Sequence, residues 1–281
     1  MKTNKEMVEN FTKDYLDGMS MEECGRQYSV DPATVRNHLK KQGISTKLYN
    51  QKKYKYNEDF FELIDTEEKA YWLGFIAADG SITKNSTILD ITLSVKDRDH
   101  LLKFIGAING SEEMVRSKTI KSEEKIHEAS RVLVCSPKMC SDLSHYGIVP
   151  KKGAVLDFPD FLEDDLMKHY LRGYFDGDGC FSTAGFAPSG AQKYTVSIIA
   201  TESFLLKMMD FLLFLGITKV SLLKKYKMAI WSKGGIPQIK SFLNYIYKDS
   251  TVFLDRKHER YLSLCRSESK TTEDSELLRR N

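Results

Sequence analysis

The sequence predicts an α+β protein built from two similar halves in tandem, with a small all-α domain before them. A ten-residue segment occurs twice, as YWLGFIAADG from Tyr71 and as YLRGYFDGDG from Tyr170. After each copy, the hydrophobic pattern predicts two strands, a helix, two more strands and a final helix. We therefore expect each half to have the order αββαββα around a mixed or antiparallel sheet, and the halves to be related by a pseudo-twofold axis.

The composition narrows the class of protein. The chain has 281 residues, of which 41% are hydrophobic, and this length suits about two domains with cores of their own. It contains no uninterrupted apolar run of the ~18 residues that a membrane span needs, and its start lacks the apolar core of a signal peptide. Five cysteines without a C-x-x-C pair indicate reduced thiols rather than disulfides or a zinc site. We expect a cytoplasmic protein that has no membrane partner.

The N-terminal region is the basic part of the chain. Residues 1–57 carry 11 lysines and arginines against 7 acidic residues, whereas the remaining 224 residues carry 31 against 32. A globally basic surface is therefore excluded, and any nucleic-acid binding depends on locally arranged lysines and arginines.

Three helices are predicted at the N-terminus, over Lys5–Leu16, Met21–Tyr28 and Ala33–Gln42, with Ser20 and Asp31 as N-caps of the second and third. This layout is typical of a helix-turn-helix, in which the third helix recognises DNA. The candidate base contacts on that helix are Thr34, Arg36, Asn37 and Lys40. The stretch over 18–45 resembles the helix-turn-helix of resolvases and transposase-like proteins. A small helical interaction domain is the alternative.

A basic segment with interleaved tyrosines joins these helices to the repeated part. It contains Lys52 and Lys53, and its composition suits a linker that lies along a DNA backbone. A solvated linker has the same composition, so both interpretations stay open. The chain is predicted to divide into the helix-turn-helix domain over 1–46, the linker over 47–60, the first half over 61–152, the second half over 153–266 and a tail over 267–281.

Small residues follow a helical spacing in both copies of the repeat. Gly74 and Ala78 in the first copy, like Gly173 and Gly177 in the second, lie one turn apart on one helix face. Such a face allows two helix backbones to approach closely. We expect the two repeated helices to pack against each other along this face.

Each repeat ends with an acid and a glycine. Gly80 and Gly179 are predicted to end the helices in the left-handed conformation, which makes Asp79 and Asp178 the last helical residues. A carboxylate is unfavourable there, because the helix C-terminus carries partial negative charge. Pseudo-symmetry would also bring the two acids together. A divalent cation held between them, Mg²⁺ by preference, would compensate for both effects.

The segments WLGFIAADG and LRGYFDGDG together resemble the motifs of LAGLIDADG homing endonucleases, and the resemblance covers about residues 58–265. VPKKG at 149–153 and YKDSTVFLDRKHERY at 247–261 are also similar to members of this family found in introns and phages. The resemblance implies that the two motif helices pack together and that saddle-shaped sheets line the major groove of DNA.

The resemblance also implies a site. The last acid of each motif would ligate the catalytic metal, which here means Asp79 and Asp178, and we assign Gly80 and Gly179 to the same metal site. The ion would be Mg²⁺, with Mn²⁺ as a substitute, and the reaction phosphodiester hydrolysis. Asp176, whose counterpart in the first motif is Ala77, is expected to be structural. The motif residues expected in the core are Tyr71, Trp72, Tyr170 and Phe175.

A basic group beside the scissile phosphate would complete such a site. The fourth strand of the first half is predicted to start at Arg131, and Lys227 enters its counterpart in the second half. These two residues are the symmetric candidates, with Lys138 and Lys233 as rivals. No motif distinguishes among these four residues.

Base contacts are expected on alternate, outward-facing residues of the predicted strands, although a solvated face of an antiparallel sheet has the same pattern. The candidates are Thr83, Lys84, Thr92, Ser94 and Lys118 in the first half, and Gln192, Lys193, Thr195, Ser197, Lys224 and Lys225 in the second.

The function expected from these features is site-specific cleavage of double-stranded DNA at a long asymmetric target by a monomer. A bacterial or phage-infected cell is the natural setting, and the sequence leaves open whether the gene is intron-encoded or freestanding. The alternative is a DNA-binding transcription regulator or an intron-splicing maturase on the same scaffold without catalysis. The presence of both motif acids favours the enzyme. An intein is set aside because the chain has neither a nucleophile at position 1 nor a His-Asn end.

Overall fold

The computed structural model describes residues 4–16, 19–44, 54–84, 86–121, 126–186, 192–217, 221–225, 228–234 and 236–266. Within these ranges, no helix has the length and apolar character needed to cross a bilayer.

The N-terminal helices form around a small core of their own. The helices are α1 (Lys5–Leu16), α2 (Met21–Gln27) and α3 (Pro32–Lys41), each within one residue of its predicted bounds. A capping box between Ser20 and Glu23 begins α2, and the Asp31 side chain caps α3. The core residues of this cluster are Phe11, Tyr15, Met21, Cys24, Val35 and Leu39.

The rest of the chain folds as two halves of the same topology. The first half consists of α4 (Glu67–Asp79), β1 (Gly80–Ile82), β2 (Leu89–Ser94), α5 (Arg98–Ala107), β3 (Arg116–Lys121), β4 (Ile126–Val134) and α6 (Pro137–His145). The second consists of α7 (Asp164–Asp178), β5 (Gly179–Phe186), β6 (Gln192–Ala200), α8 (Glu202–Phe214), β7 (Ser221–Lys225), β8 (Met228–Gly234) and α9 (Ile236–Tyr247). A further helix, α10, covers 255–266.

Each half has one four-stranded antiparallel sheet. The strand orders are β1-β2-β4-β3 and β5-β6-β8-β7, so that corresponding strands occupy corresponding places. The observed order of elements confirms the predicted α+β fold with two αββαββα halves.

The two halves meet where α4 packs on α7. A Cβ atom added to Gly74 would lie 2.0 Å from the carbonyl oxygen of Tyr170, and one added to Gly173 would lie 1.9 Å from that of Tyr71. The two main chains are therefore in direct contact, as the spacing of small residues predicted. The aromatic motif residues predicted to be core are buried: Tyr71, Trp72, Tyr170 and Phe175.

Each sheet has a buried face and an open face. On β2 the buried residues Leu89, Ile91 and Leu93 alternate with Asp90, Thr92 and Ser94. On β6 the buried residues Val196, Ile198 and Ala200 alternate with Thr195, Ser197 and Ile199. Helices α5 and α8 contact the strands from the buried side. The open faces are the surfaces on which base contacts were predicted.

Cys180 and His100 differ in burial. Cys180 is exposed on the open face of β5, opposite Ser197. His100 is buried against the rings of Trp72 and Phe75, and its Nε2 lies 3.0 Å from the Tyr71 hydroxyl oxygen.

Candidate active site

The two motif acids end the two central helices. Helix α4 ends at Asp79 and α7 at Asp178, as predicted. The glycines that follow are not left-handed, since φ is −77° at Gly80 and −81° at Gly179, and both begin strands. Glycine is needed for space instead. A Cβ atom on Gly80 would lie 2.8 Å from the Ile76 carbonyl oxygen, and one on Gly179 would lie 2.5 Å from that of Phe175.

Asp79 and Asp178 are exposed residues, but the protein around them partly desolvates both carboxylates. Asp79 Oδ2 lies 3.3 Å from where a Cβ atom of Gly177 would be, so that the absent side chain makes room for it. Desolvation, followed by the charge of Asp178, raises the pKa of Asp79 to about 6. Desolvation also raises the pKa of Asp178. One acid from each half is thus held at a site where the ionised form of the carboxylate is disfavoured.

A lysine reaches the end of each motif helix. Lys152 Nζ donates to the carbonyl oxygen of Ala78 at 2.9 Å. Lys257 Nζ donates to the carbonyl oxygens of Phe175 and Gly179, both at 2.6 Å. A cation at a helix C-terminus offsets the partial negative charge there. Burial lowers the pKa of Lys257 to about 8, and it lowers that of Lys152 as well.

Sequence reasoning missed both lysines, although a signal for them existed. An acid that ends a helix requires a nearby cation, and Lys152 and Lys257 lie in the VPKKG and YKDSTVFLDRKHERY segments that carried the resemblance. The charges of these lysines also partly offset the rise that desolvation causes in the pKa values of both acids.

Asp176 is structural, as expected. It is buried and accepts hydrogen bonds from the Tyr71 hydroxyl at 2.8 Å, the Leu254 amide at 2.7 Å and the Tyr247 hydroxyl. Leu254 precedes Lys257 by less than one helical turn, so this carboxylate anchors the segment that brings Lys257 to α7.

Arg131, predicted beside the acids, does not lie on the strand that follows Asp79 or on its immediate neighbour. It belongs to β4, which is separated from β1 by β2, and it forms a bidentate ion pair with Asp90. The predicted equivalence of Arg131 with Lys227 is also wrong. Arg131 pairs with Thr92 and the corresponding pair in the second sheet is Ile199 with Ile230, so Ile230 is the counterpart of Arg131.

The other candidate bases are placed as follows. Lys227 lies outside the described residues, as does the side chain of Lys233. Lys138 forms ion pairs with Asp59, Glu62 and Asp142 on the surface.

The predicted base contacts divide into three groups. Thr92, Ser94, Lys193, Thr195 and Ser197 lie on the open faces of β2 and β6, as predicted, and Lys118 lies on β3. Thr83 and Lys84 follow β1 in a turn rather than on a strand. Lys224 and Lys225 are consecutive residues of β7, so they cannot both belong to one set of alternate residues of that strand. Gln192 begins β6, and its side chain is outside the described part of the chain.

The predicted contacts of the N-terminal part lie on α3 or outside the description. Arg36, Asn37 and Lys40 are exposed on α3, and Thr34 is half-buried. Lys52 and Lys53 are not among the described residues.

The donor set at the helix ends fits a hard divalent cation that keeps water and substrate ligands. Two carboxylates suit Mg²⁺, which is commonly held by one or two carboxylates and by substrate phosphates. No cluster of three or more His, Cys, Asp or Glu side chains suited to a metal occurs in the described ranges. The carbonyl oxygen of Gly179, a residue predicted to belong to the metal site, accepts a hydrogen bond from the Lys257 ammonium at 2.6 Å.

Comparisons with known proteins gave structural similarity only. No family model matches the chain, and no curated protein matches it. Among solved structures, the LAGLIDADG meganuclease I-AabMI bound to uncleaved DNA is similar at 14% identity and a TM-score of 0.47, over 73% of this chain and 91% of that one. The LAGLIDADG homing endonuclease I-GzeII in complex with its DNA target is similar at 13% identity and a TM-score of 0.47, over 74% and 92%. I-SmaMI bound to an uncleaved DNA target with calcium is similar at 13% identity and a TM-score of 0.46, over 76% and 94%.

Proposed function

We propose that this protein is a site-specific endonuclease that hydrolyses one phosphodiester bond in each strand of double-stranded DNA, with a divalent cation held by Asp79 and Asp178. One observation carries the proposal: two carboxylates from different halves meet at the C-terminal ends of two packed helices. Charge repulsion and the helix dipoles oppose this arrangement, and a bound cation reverses the sign of both effects.

The residues of the chain have distinct roles in this proposal. Asp79 and Asp178 would hold Mg²⁺, or Mn²⁺ in its place, and the ion would polarise the scissile phosphate and lower the pKa of a bound water. Asp79, with a pKa of about 6, is ionised at neutral pH and is therefore ready to bind. Lys152 donates one hydrogen bond to Ala78, and an ammonium group has three donors, so N–H groups are left to contact a phosphate oxygen.

The DNA would lie across the open faces of both sheets, with one half on each side of the cut positions. Helices α1 to α3 would contact the same long, asymmetric target as a helix-turn-helix, with Arg36, Asn37 and Lys40 towards the bases. Since both halves belong to one chain, a monomer would suffice. The setting we propose is the cytoplasm of a bacterium or of a phage-infected cell.

The test is to sequence DNA ends after digestion. Genomic DNA from a close relative that lacks this reading frame is incubated with the protein and Mg²⁺. The double variant Asp79→Asn/Asp178→Asn is tested beside it, and Asp99→Asn, an exposed acid on α5, is the matched control. We expect a few discrete ends with the wild type and with Asp99→Asn, and none with the double variant.

Two results would contradict the proposal. Ends that persist in the double variant would remove the two acids from the chemistry. A sequence-selective footprint without any cleavage, unchanged by the double substitution, would identify a non-catalytic DNA-binding protein such as a regulator or a maturase.

A further inference from the structure

One row of open-face residues in the first sheet lies level with Asp79. Gly80 pairs with Ile91 on the antiparallel strand β2, so Thr92, the next residue of β2, is level with Asp79, the residue before Gly80. Thr92 pairs with Arg131, and Arg131 pairs with Arg116 on the outer strand. We call Thr92, Arg131 and Arg116 the first row. Under the proposed function, this row is the part of the sheet nearest to the cut in its strand.

The corresponding row of the second sheet has a different chemistry. Gly179 pairs with the residue before Ile199, Ile199 pairs with Ile230, and Ile230 pairs with Leu223. We call Ile199, Ile230 and Leu223 the second row. Ile199 is 44% exposed, so its side chain is accessible from the open face of β6. All three residues of the second row are apolar by type, and Ile199 is the member whose side chain belongs to the described part of the structure, whereas the first row has two arginines.

The first row is electrostatically incomplete. Arg131 and Arg116 are directly opposite each other on neighbouring strands, where like charges are unfavourable. Asp90 neutralises one of them: its oxygens accept from Arg131 Nε at 2.9 Å and from Nη2 at 2.6 Å. Thr92 Oγ1 donates to Asp90 Oδ1 at 3.1 Å and fixes the carboxylate in turn. Asp90, Arg131 and Arg116 together therefore carry one more positive than negative charge, and Arg116 is exposed, where its Nη2 donates to the Tyr54 hydroxyl at 3.5 Å.

Arg131 is oriented as well as charged. Its guanidinium has five N–H donors in one plane, and Asp90 takes two of them, which leaves an edge of the plane to another acceptor. A guanidinium whose plane is fixed matches the paired acceptors N7 and O6 of guanine in the major groove. A contact to a phosphate carries no base information and does not need a fixed plane.

We infer that the two halves select different bases next to the two cuts: guanine in the first half, through Arg131 held by Asp90, and thymine in the second, through Ile199. A thymine presents a C5-methyl group in the major groove, and an exposed aliphatic side chain is its complement. The target would then be asymmetric at this position even though the fold is repeated. This inference rests on the proposed function for the location of the DNA.

Binding selection tests the inference without requiring cleavage. The double variant Asp79→Asn/Asp178→Asn is used to enrich double-stranded DNA that is randomised over the base pairs around the cut positions. We expect guanine at one position of the first half-site and thymine at its counterpart in the second, each preferred by about tenfold. Substituting Arg131→Gln in that background should move the preference from guanine to adenine, which glutamine reads with two hydrogen bonds.

Three further variants control this result. Arg98→Gln removes an equal charge from α5, on the covered side of the sheet, and should leave the base preferences unchanged. Asp90→Asn keeps Arg131 but weakens its orientation, and should reduce the guanine preference several-fold. Ile199→Ser should abolish the thymine preference alone. Thermal unfolding of each variant checks that the fold is retained.

The possible outcomes separate the inference from the proposed function. A selected target without guanine in the first half-site, or an Arg131→Gln variant that binds all sequences more weakly by the same factor, would make Arg131 a phosphate contact and overturn the inference. A selected target with guanine and thymine as expected, which the wild type with Mg²⁺ fails to cut, would support the inference and overturn the proposed endonuclease activity.

Discussion

The ends of the two motif helices differ in how firmly a lysine is held, although the helices themselves are equivalent. At the end of α7, Lys257 is 5% exposed and donates to three carbonyl oxygens, those of Phe175, Gly177 and Gly179. At the end of α4, Lys152 is half-buried and donates to the Ala78 carbonyl oxygen.

The origin of the difference is one buried position. Asp176 fixes the segment before Lys257 through the Leu254 amide, whereas its counterpart Ala77 offers no acceptor in a side chain. Backbone contact between α4 and α7 sets what the halves share, and single side chains set how they differ. The comparison teaches that a repeated fold does not imply two equal sites.

The largest loss of stability is expected from substitutions at the contact between α4 and α7, which is a feature that the two halves share. Gly74→Ala or Gly173→Ala would place a methyl group about 2 Å from a main-chain carbonyl that cannot move aside, and should destabilise the protein by more than about 3 kcal/mol. Gly106→Ala, at an exposed position of α5 with open space around the added atom, is the control and should be neutral or stabilising. Urea unfolding measures all three. A loss of stability for Gly106→Ala similar to that for Gly74→Ala or Gly173→Ala would refute the backbone-contact explanation.

The next effect concerns the anchor that only the second half has. Asp176→Ala would leave two hydroxyls and the Leu254 amide without their acceptor, at a cost of about 2–4 kcal/mol in stability. Amide hydrogen exchange should increase over 251–257, since the loop loses its bond to α7, and should change little at the end of α4. Equal increases at the two helix ends would show that the anchor does not distinguish the halves.

Replacing each lysine by methionine compares the two helix ends directly. Lys257→Met should reduce the free energy of unfolding by about 1–3 kcal/mol, because three carbonyl oxygens lose a charged donor. Lys152→Met should reduce it by less than about 1 kcal/mol, since one such bond is lost near solvent. Urea unfolding of the two variants in parallel gives both values. A larger loss for Lys152 would reverse the comparison.

The smallest effect concerns the ionisation of Asp79. Its pKa in the folded protein is raised to about 6 from an ordinary 3.8, so its ionisation opposes folding and stability decreases as the pH rises between these values. Asp79→Asn should therefore stabilise the protein at pH 7.5 without metal, by about 1 kcal/mol after solvent screening. Thermal unfolding at pH 4 and pH 7.5 measures this gain, which should disappear at the lower pH, with Asp99→Asn unchanged at both.

The same ionisation should control metal affinity. Because the carboxylate must be ionised to bind a cation, the affinity for Ca²⁺, titrated calorimetrically, should fall about tenfold between pH 7.5 and pH 5. An affinity that is constant over this range would remove Asp79 from the metal site.

Local patterns in the sequence were sufficient for some features of the fold and not for others. The helix bounds, the Gly74–Gly173 seam and the terminal positions of Asp79 and Asp178 depend on residues within one helix or one repeat, and all three were predicted. Lys152 and Lys257 were not, because each reaches a carbonyl more than seventy residues away in the chain.

The register of a sheet was a second source of error. Strand β4 begins at Ile126, five residues before the predicted start at Arg131, and this shift breaks the supposed equivalence with Lys227. Pairing between strands decides which residues share a row, and a pattern within one strand contains no information about its partner's alignment. The Asp90–Arg131 ion pair, which depends on that alignment, could not be found from spacing alone.

The contact between Gly74 and Gly173 has a consequence for how such a protein could diversify. Since main chain touches main chain there, the backbone contact sets the spacing of Asp79 and Asp178 as long as the small residues of this face are kept. Under the proposed function, the length of the single-stranded ends left by the two cuts would stay constant while substitutions on the open faces change the target. Halves from related chains that keep both glycines could then be exchanged, and the hybrid would cut a composite target with the same overhang.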